Sequence, residues 1–313
     1  MVQIILLASL AGFASALLSG MLTPGMVSLA FLFLVAPLPL FLASFGWHAL
    51  AGALAGLIGA MLVDVASGNR AALAYASLFA FPAYLIPAAA ERAFGAPDRD
   101  IRRDGIVTGQ LALAMAGYLA LVIIVTSVWI EPDYARFVAR LRDFVGEGLR
   151  LMSAPGNPAL SDPATFNRVV DLMASIMLPV SGLLVIVTLV LSAAFAAIIA
   201  EKSGRLPFVK PAFSMFRLPG GSLILFAATL LVALWDGYTG VFAEILAFGL
   251  AFLLMLQGLA VLHARLAGQN GRGFMLTAAW GSILIFGFPA LLFVGVGVAD
   301  HLLDLRNRKR AGG

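Results

Sequence analysis

The chain has 313 residues, of which 62% are hydrophobic and 12% charged, with no cysteine and a formal net charge of +4. Soluble domains carry about a quarter charged residues, so no water-soluble core absorbs this composition, and the chain reads as a polytopic membrane protein. Disulfides and thiolate metal sites are unavailable, and the Lys and Arg sit in short loops beside apolar runs, as topology signals rather than a nucleic-acid surface.

A membrane span needs about 20 apolar residues at 1.5 Å each. On that rule the candidates are 3–22, 27–45, 48–66, 72–90, 106–129, 176–200, 221–236, 241–264 and 274–299. The expected fold is therefore all-α, a polytopic transmembrane helical bundle of about eight to nine apolar segments. It divides into helices over 1–130, an external amphipathic insertion over 131–175, and helices with a basic cytoplasmic tail over 176–313.

The first stretch lacks the basic n-region of a signal peptide and is expected to remain as a span. Every fourth residue gives Ala8, Gly12, Ala16 and Gly20, with Ala11, Ser15 and Ser19 in the neighbouring row. Rows of small residues let another helix backbone come close, which is how helices associate in lipid. The partner is either another helix of this chain or a second protein. Gly52, Gly56 and Ala60 repeat the pattern in the third candidate, which would be the internal mate.

Thr23-Pro24-Gly25 forms a short turn, and Pro37-Leu38-Pro39 predicts either a broken helix inside the bundle or a kinked ordinary span. Trp129 anchors the end of the fifth span at an interface. Over 134–152 apolar residues recur at three- and four-residue spacing opposite arginines and acids, so an amphipathic helix on the membrane surface is expected. Pro155-Gly156-Asn157-Pro158 closes it, and Asp162 with Pro163 opens a new helix that runs into the sixth span. The loop 201–220 mixes Lys202, Arg205, Lys210 and Arg217 with three phenylalanines, a pattern of headgroup contact or protein docking.

Nine full crossings with the N-terminus inside divide the 20 Lys and Arg evenly between the two sides. With the tail inside, fourteen lie inside against six, as the positive-inside rule requires. One C-terminal segment should then be a re-entrant or broken hairpin, and Gly287-Phe288-Pro289 selects 274–299.

No P-loop, H-E-x-x-H or G-x-S-x-G is present, and no catalytic or metal-ligating set stands out. Gly295-Val296-Gly297 sits in a span and reads as packing. Polar groups at membrane depth need a reason, and Glu244 is the clearest. With Asp64, Trp235, Asp236 and Tyr238 it would form an outward acidic and aromatic mouth for a cationic or hydrogen-bonding small molecule. Asp64 and Asp236 are also placed to end helices in water, and Gln257 is either interhelical glue or a ligand contact.

Lys210-Pro211…Phe216-Arg217-Leu218-Pro219, Leu256-Gln257-Gly258-Leu259-Ala260-Val261 and Asp300…Asp304-Leu305-Arg306 resemble the YybS-like bacterial membrane proteins, a family of unknown function. That family resembles in turn the S components of energy-coupling-factor transporters, whose first helix packs on a transmembrane coupling protein carrying ATPase subunits. The resemblance implies a substrate-binding subunit in the bacterial plasma membrane, with Ala8, Gly12, Ala16 and Gly20 as the docking row and the Thr23-Pro24-Gly25 turn as a lid. It implies no cofactor. A non-transporting cell-envelope scaffold, using 134–152 and 201–220 as protein surfaces, is the alternative.

Overall fold

Close approach over small residues builds the first contact of the bundle. The computed structural model describes residues 2–20, 32–96, 98, 100–152 and 162–306. Helix α1 (Val2–Gly20) lies parallel to α3 (Ala49–Ser67): Gly12 faces the backbone of Ala55 and Gly59, and Ala16 shares a groove with Leu62 and Val63. A Cβ on Gly12 would collide with the Ala55 carbonyl. Ala8, Ser15 and Ala16 are buried, and Ser15 accepts a 2.7 Å hydrogen bond from Tyr75. α3 is thus the internal mate of this row at Gly12. Gly20 ends the helix.

The Pro37 break is real. A 3₁₀ turn precedes α2 (Leu38–Trp47), and Ala36, Leu40 and Phe41 are fully buried, which places the broken backbone inside the bundle where protein covers it. The Thr23-Pro24-Gly25 turn and the Pro155–Pro158 cluster lie outside the described residues. Next, α4 (Asn69–Tyr75), a π-turn at Ala76–Ala80 and α5 (Phe81–Phe94) make one helical segment. The wide turn just before Pro82 accommodates a residue without an amide donor.

Helices α6 (Asp104–Ile130), α8 (Pro163–Lys202) and α10 (Tyr238–Arg265) complete the long elements. Six helical segments are long and apolar enough to cross a bilayer. Of the nine candidates, 221–236 is shorter than a crossing helix, 27–45 is broken at Pro37, one of its two expected forms, and 274–299 is the broken hairpin that Gly287-Phe288-Pro289 predicts. In their place stand the shorter apolar pieces α2, α9 (Ser222–Val232), α11 (Arg272–Phe286) and α12 (Pro289–Leu303). α10 is the hub, apolar all round its middle and fully buried at Ile245, Leu250, Leu253, Leu254 and Leu259.

α8 opens where expected: Asp162 accepts from the Thr165 hydroxyl (2.7 Å) and amide (3.0 Å) and from the Ala164 amide (3.4 Å), which holds its carboxyl below the usual range. At 40 residues its contour is about 60 Å, twice the hydrocarbon thickness, so about half of it stands outside the apolar layer. The external segment and the sixth span therefore share one continuous helix across 175–176. α7 (Tyr134–Met152) runs antiparallel along this outer half, with Arg142 on Asp171 (2.8 Å), Gly146 against Val170 and Arg150 over Phe166 (5.3 Å). Part of its apolar face packs on α8 through buried Phe137, Val170 and Ala174, while Phe144 and Leu151 stay exposed.

Two faces result. On one stand the ends of α3 and α6, bridged by Arg70 over Trp129 (5.9 Å), with α7 and the α9–α10 turn. On the other, Gly105 and Gly109 of α6 press on the carbonyls of Met215 and Arg217, and Phe208 meets Phe45 and Phe94. α12 runs parallel to α10: Gly258 faces Phe293 and Gly297, Gln257 meets Asp300, and Arg265 reaches the Leu305 carbonyl at 3.0 Å. α11 starts on that same basic face, so α11 and α12 form a hairpin that begins and ends there, with Gly287 (φ 71°) at its turn.

Candidate functional site

The turn between α9 and α10 is set by Gly237 (φ 94°) and by Gly240, where a Cβ would strike the Trp235 carbonyl. This tight reversal displays Trp235 and Asp236 at the rim, while Glu244 sits two turns into α10, half-buried. α7 begins beside them: the Asp133 carboxylate caps it by accepting from the amides of Ala135 (2.9 Å) and Arg136 (3.3 Å), which fixes Tyr134 at the entrance.

Together these elements enclose a cavity of about 200 Å³ between α7, α8 and the α9–α10 turn. Tyr134, Arg142, Asp171, Trp235, Asp236 and Glu244 bring polar groups to it, over an apolar floor that includes Phe137, Leu178 and Val241. Arg142 is engaged by Asp171. Among the described residues neither Asp236 nor Glu244 has an ion-pair partner. The site is therefore net acidic. Burial, and after it the charges of Glu244 and Asp236, push the Tyr134 phenol up from its ordinary value.

Glu131 ties the entrance together. Its buried carboxylate meets Arg140 at 2.9 Å, and its carbonyl accepts a hydrogen bond from the Tyr238 hydroxyl. Tyr238 in turn packs on Tyr134 (5.2 Å) and Phe137 (5.5 Å). It is a wall support, adjacent to the cavity and not a lining residue.

Of the five residues expected in the mouth and the separate candidate Gln257, the structure thus brings Trp235, Asp236 and Glu244 together, with Tyr238 behind them. Asp64 does not join. It is exposed at the end of α3, on the same face but apart from the cavity, where it ends a helix in water. Gln257 does not join either. It is fully buried towards the opposite face, accepting from the Leu218 amide at 3.0 Å and donating to Asp300 at 2.9 Å. One end of its amide ties α10 to the loop at Leu218 and the other ties it to α12 at Asp300, which is the glue role. Sequence reasoning missed Tyr134, Arg142 and Asp171 as site residues. The first two were visible only as parts of an amphipathic pattern, and nothing near Asp171 marks it.

The three histidines are far apart in role. His48 accepts from the Leu50 amide (3.3 Å), His263 sits on the Leu259 carbonyl (2.9 Å), and His301 on the Gly220 carbonyl (3.0 Å). Among the described residues no group of three or more His, Asp or Glu is arranged to hold a metal ion.

The family described as Predicted membrane protein (DUF2232) matches residues 13–301, from within α1 to the end of α12. The chain belongs to this family. No curated protein and no solved structure matches it. As a DUF2232 member it is an integral membrane protein with several membrane-crossing helices, in agreement with the six long apolar segments. The match runs through the α9–α10 turn, α7 and the hairpin alike, so the outer cavity and the basic face both lie within the family's own span.

Proposed function

We propose that this protein binds a small cationic, hydrogen-bonding molecule at its outer face, as the ligand-capturing subunit of a small-molecule transporter in the bacterial plasma membrane. The observation that carries this reading is the meeting of Asp236 and Glu244 with Trp235 and Tyr134 in one concavity, whose lining cation, Arg142, is paired with Asp171. Carboxylates attract a cation, aromatic faces add to that attraction, and a small enclosed volume selects for a small ligand. Because α3 packs on the first-helix row at Gly12, a coupling protein with ATPase subunits would engage another surface, and the basic face with loop 203–221 is the one reading offers.

Thermal unfolding of the purified protein across a panel of primary and quaternary amines tests this. Stabilisation by a subset, abolished in Glu244→Gln and retained in Asp64→Asn, supports it; no stabilisation by any organic cation refutes it. A scaffold role in the cell envelope is the second reading, favoured by the α7–α8 hairpin, on which Phe144, Leu151 and Leu172 remain more than 60% exposed. Deletion of 134–152 that abolishes co-purification of envelope proteins, with amine stabilisation absent from the intact chain, would move the assignment there.

A further inference from the structure

A second cavity, of about 520 Å³, lies in the basic half of the bundle. Its wall is hydrocarbon from α5, α6, α8 and α10, with Phe94, Met115, Phe208, Leu256 and Trp280 among the lining. Three lining residues carry side-chain donors, the Trp280 indole N–H among them. The Thr108 hydroxyl is spent on the Asp104 carbonyl at 2.8 Å, and Lys210 stands on the loop that follows α8. Such a space holds neither a polar solute nor ordered water. Exposed Ala194 and Phe195 of α8 line it, so it opens sideways towards the bilayer. These residues fall within the last ten of α8, hence about 10–15 Å from the basic face.

Charge identifies the occupant. The end of α8 and the segment after it carry Lys202, Arg205 and Lys210 against Glu201 alone, and Arg205 stacks over Trp47 at 4.3 Å, two residues from the lining Phe45. One Lys210 donor engages Glu201 at 3.1 Å, and an ammonium has three. By the positive-inside rule this face is cytoplasmic, and the cytoplasmic leaflet is where anionic phospholipids meet juxtamembrane basic residues. We propose that the cavity holds one acyl chain of an anionic phospholipid of this leaflet, with the lipid phosphate at Lys210. The site is separate from the outer acidic cavity and does not depend on what that cavity binds.

Native mass spectrometry of the full chain released from bilayers of equal phosphatidylglycerol and phosphatidylcholine tests the assignment. One retained phosphatidylglycerol per chain is expected. Lys210→Ala, a change on a loop, should lower the preference for phosphatidylglycerol about fivefold, the effect of one basic residue near the surface. Ala194→Trp, which fills the opening, should lose the retained lipid, while Leu184→Trp on the exposed face of α8 outside the cavity should keep it. Equal retention of both lipids by the wild type, or undiminished lipid in Ala194→Trp, overturns the proposal.

Discussion

Asp300 is fully buried, and what makes that tolerable is Arg306, which meets both of its oxygens, at 2.7 and 3.3 Å, and donates as well to the carbonyls of Ser214 and Phe216. Removing one partner of a buried pair leaves the other charge uncompensated, at a cost of about 3–5 kcal/mol. Arg306→Met should therefore lower the unfolding temperature in detergent sharply, and adding Asp300→Asn should restore part of the loss. Equal melting of Arg306→Met and wild type would refute the arrangement. At the outer cavity the readout is Tyr134. Its phenol should titrate above the ordinary value of about 10, and Glu244→Gln should bring it down, as followed by ultraviolet absorbance against Tyr134→Phe. The sign follows from linkage. A raised folded-state value means the unfolded chain releases this proton first, so the Tyr134 contribution to stability is intact below pH 10 and is lost as pH rises above it.

Among the elements, glycine decides which helices touch. Gly258 of α10 and Gly297 of α12 face each other, and a Cβ on either would meet a carbonyl of the other helix, those of Phe293 and Leu254. Lipid offers no hydrophobic drive for helices to associate, so backbone approach of this kind supplies the packing energy. Gly258→Val should cost about 1–3 kcal/mol by overpacking, and Gly295→Val, where a Cβ meets nothing within 4 Å, should cost little. Thermal unfolding of the two variants compares them, and equal melting would exclude the crossing. The α7–α8 hairpin rests on Phe137 and not on its ion pairs: Arg142 and Asp171 are each more than half exposed, and such pairs contribute at most about 1 kcal/mol. Phe137→Ala should raise proteolysis within 134–162, whereas Arg142→Ala should leave it near the wild-type rate.

For the molecule as a whole, the hairpin of α11 and α12 fixes topology. Arg306 binds the 213–217 loop, Arg217 meets Asp304 at 3.2 Å and Arg265 reaches the Leu305 carbonyl, so residues 304–306 share a face with Arg217 and Arg265. A reporter fused after Gly313 should read cytoplasmic and one inserted at Gly237 external; a periplasmic tail would overturn the arrangement. The sequence by itself determined that the chain is a helical membrane protein, where its long helices lie, and that Pro37 and Gly287-Phe288-Pro289 interrupt two apolar runs, with 274–299 the hairpin that charge counting selects. Each of these follows from local composition, proline chemistry or charge counting, which need no partner to be known. Only the tertiary structure decided that α3 packs on the first-helix row at Gly12, because a small-residue row prescribes a close neighbour without naming it. Tertiary structure likewise drew Gln257 into glue and left Asp64 in water. It also set Tyr134 and Asp171 beside Glu244, since residues 73 to 110 positions apart in the chain meet only once α7 has folded back along α8.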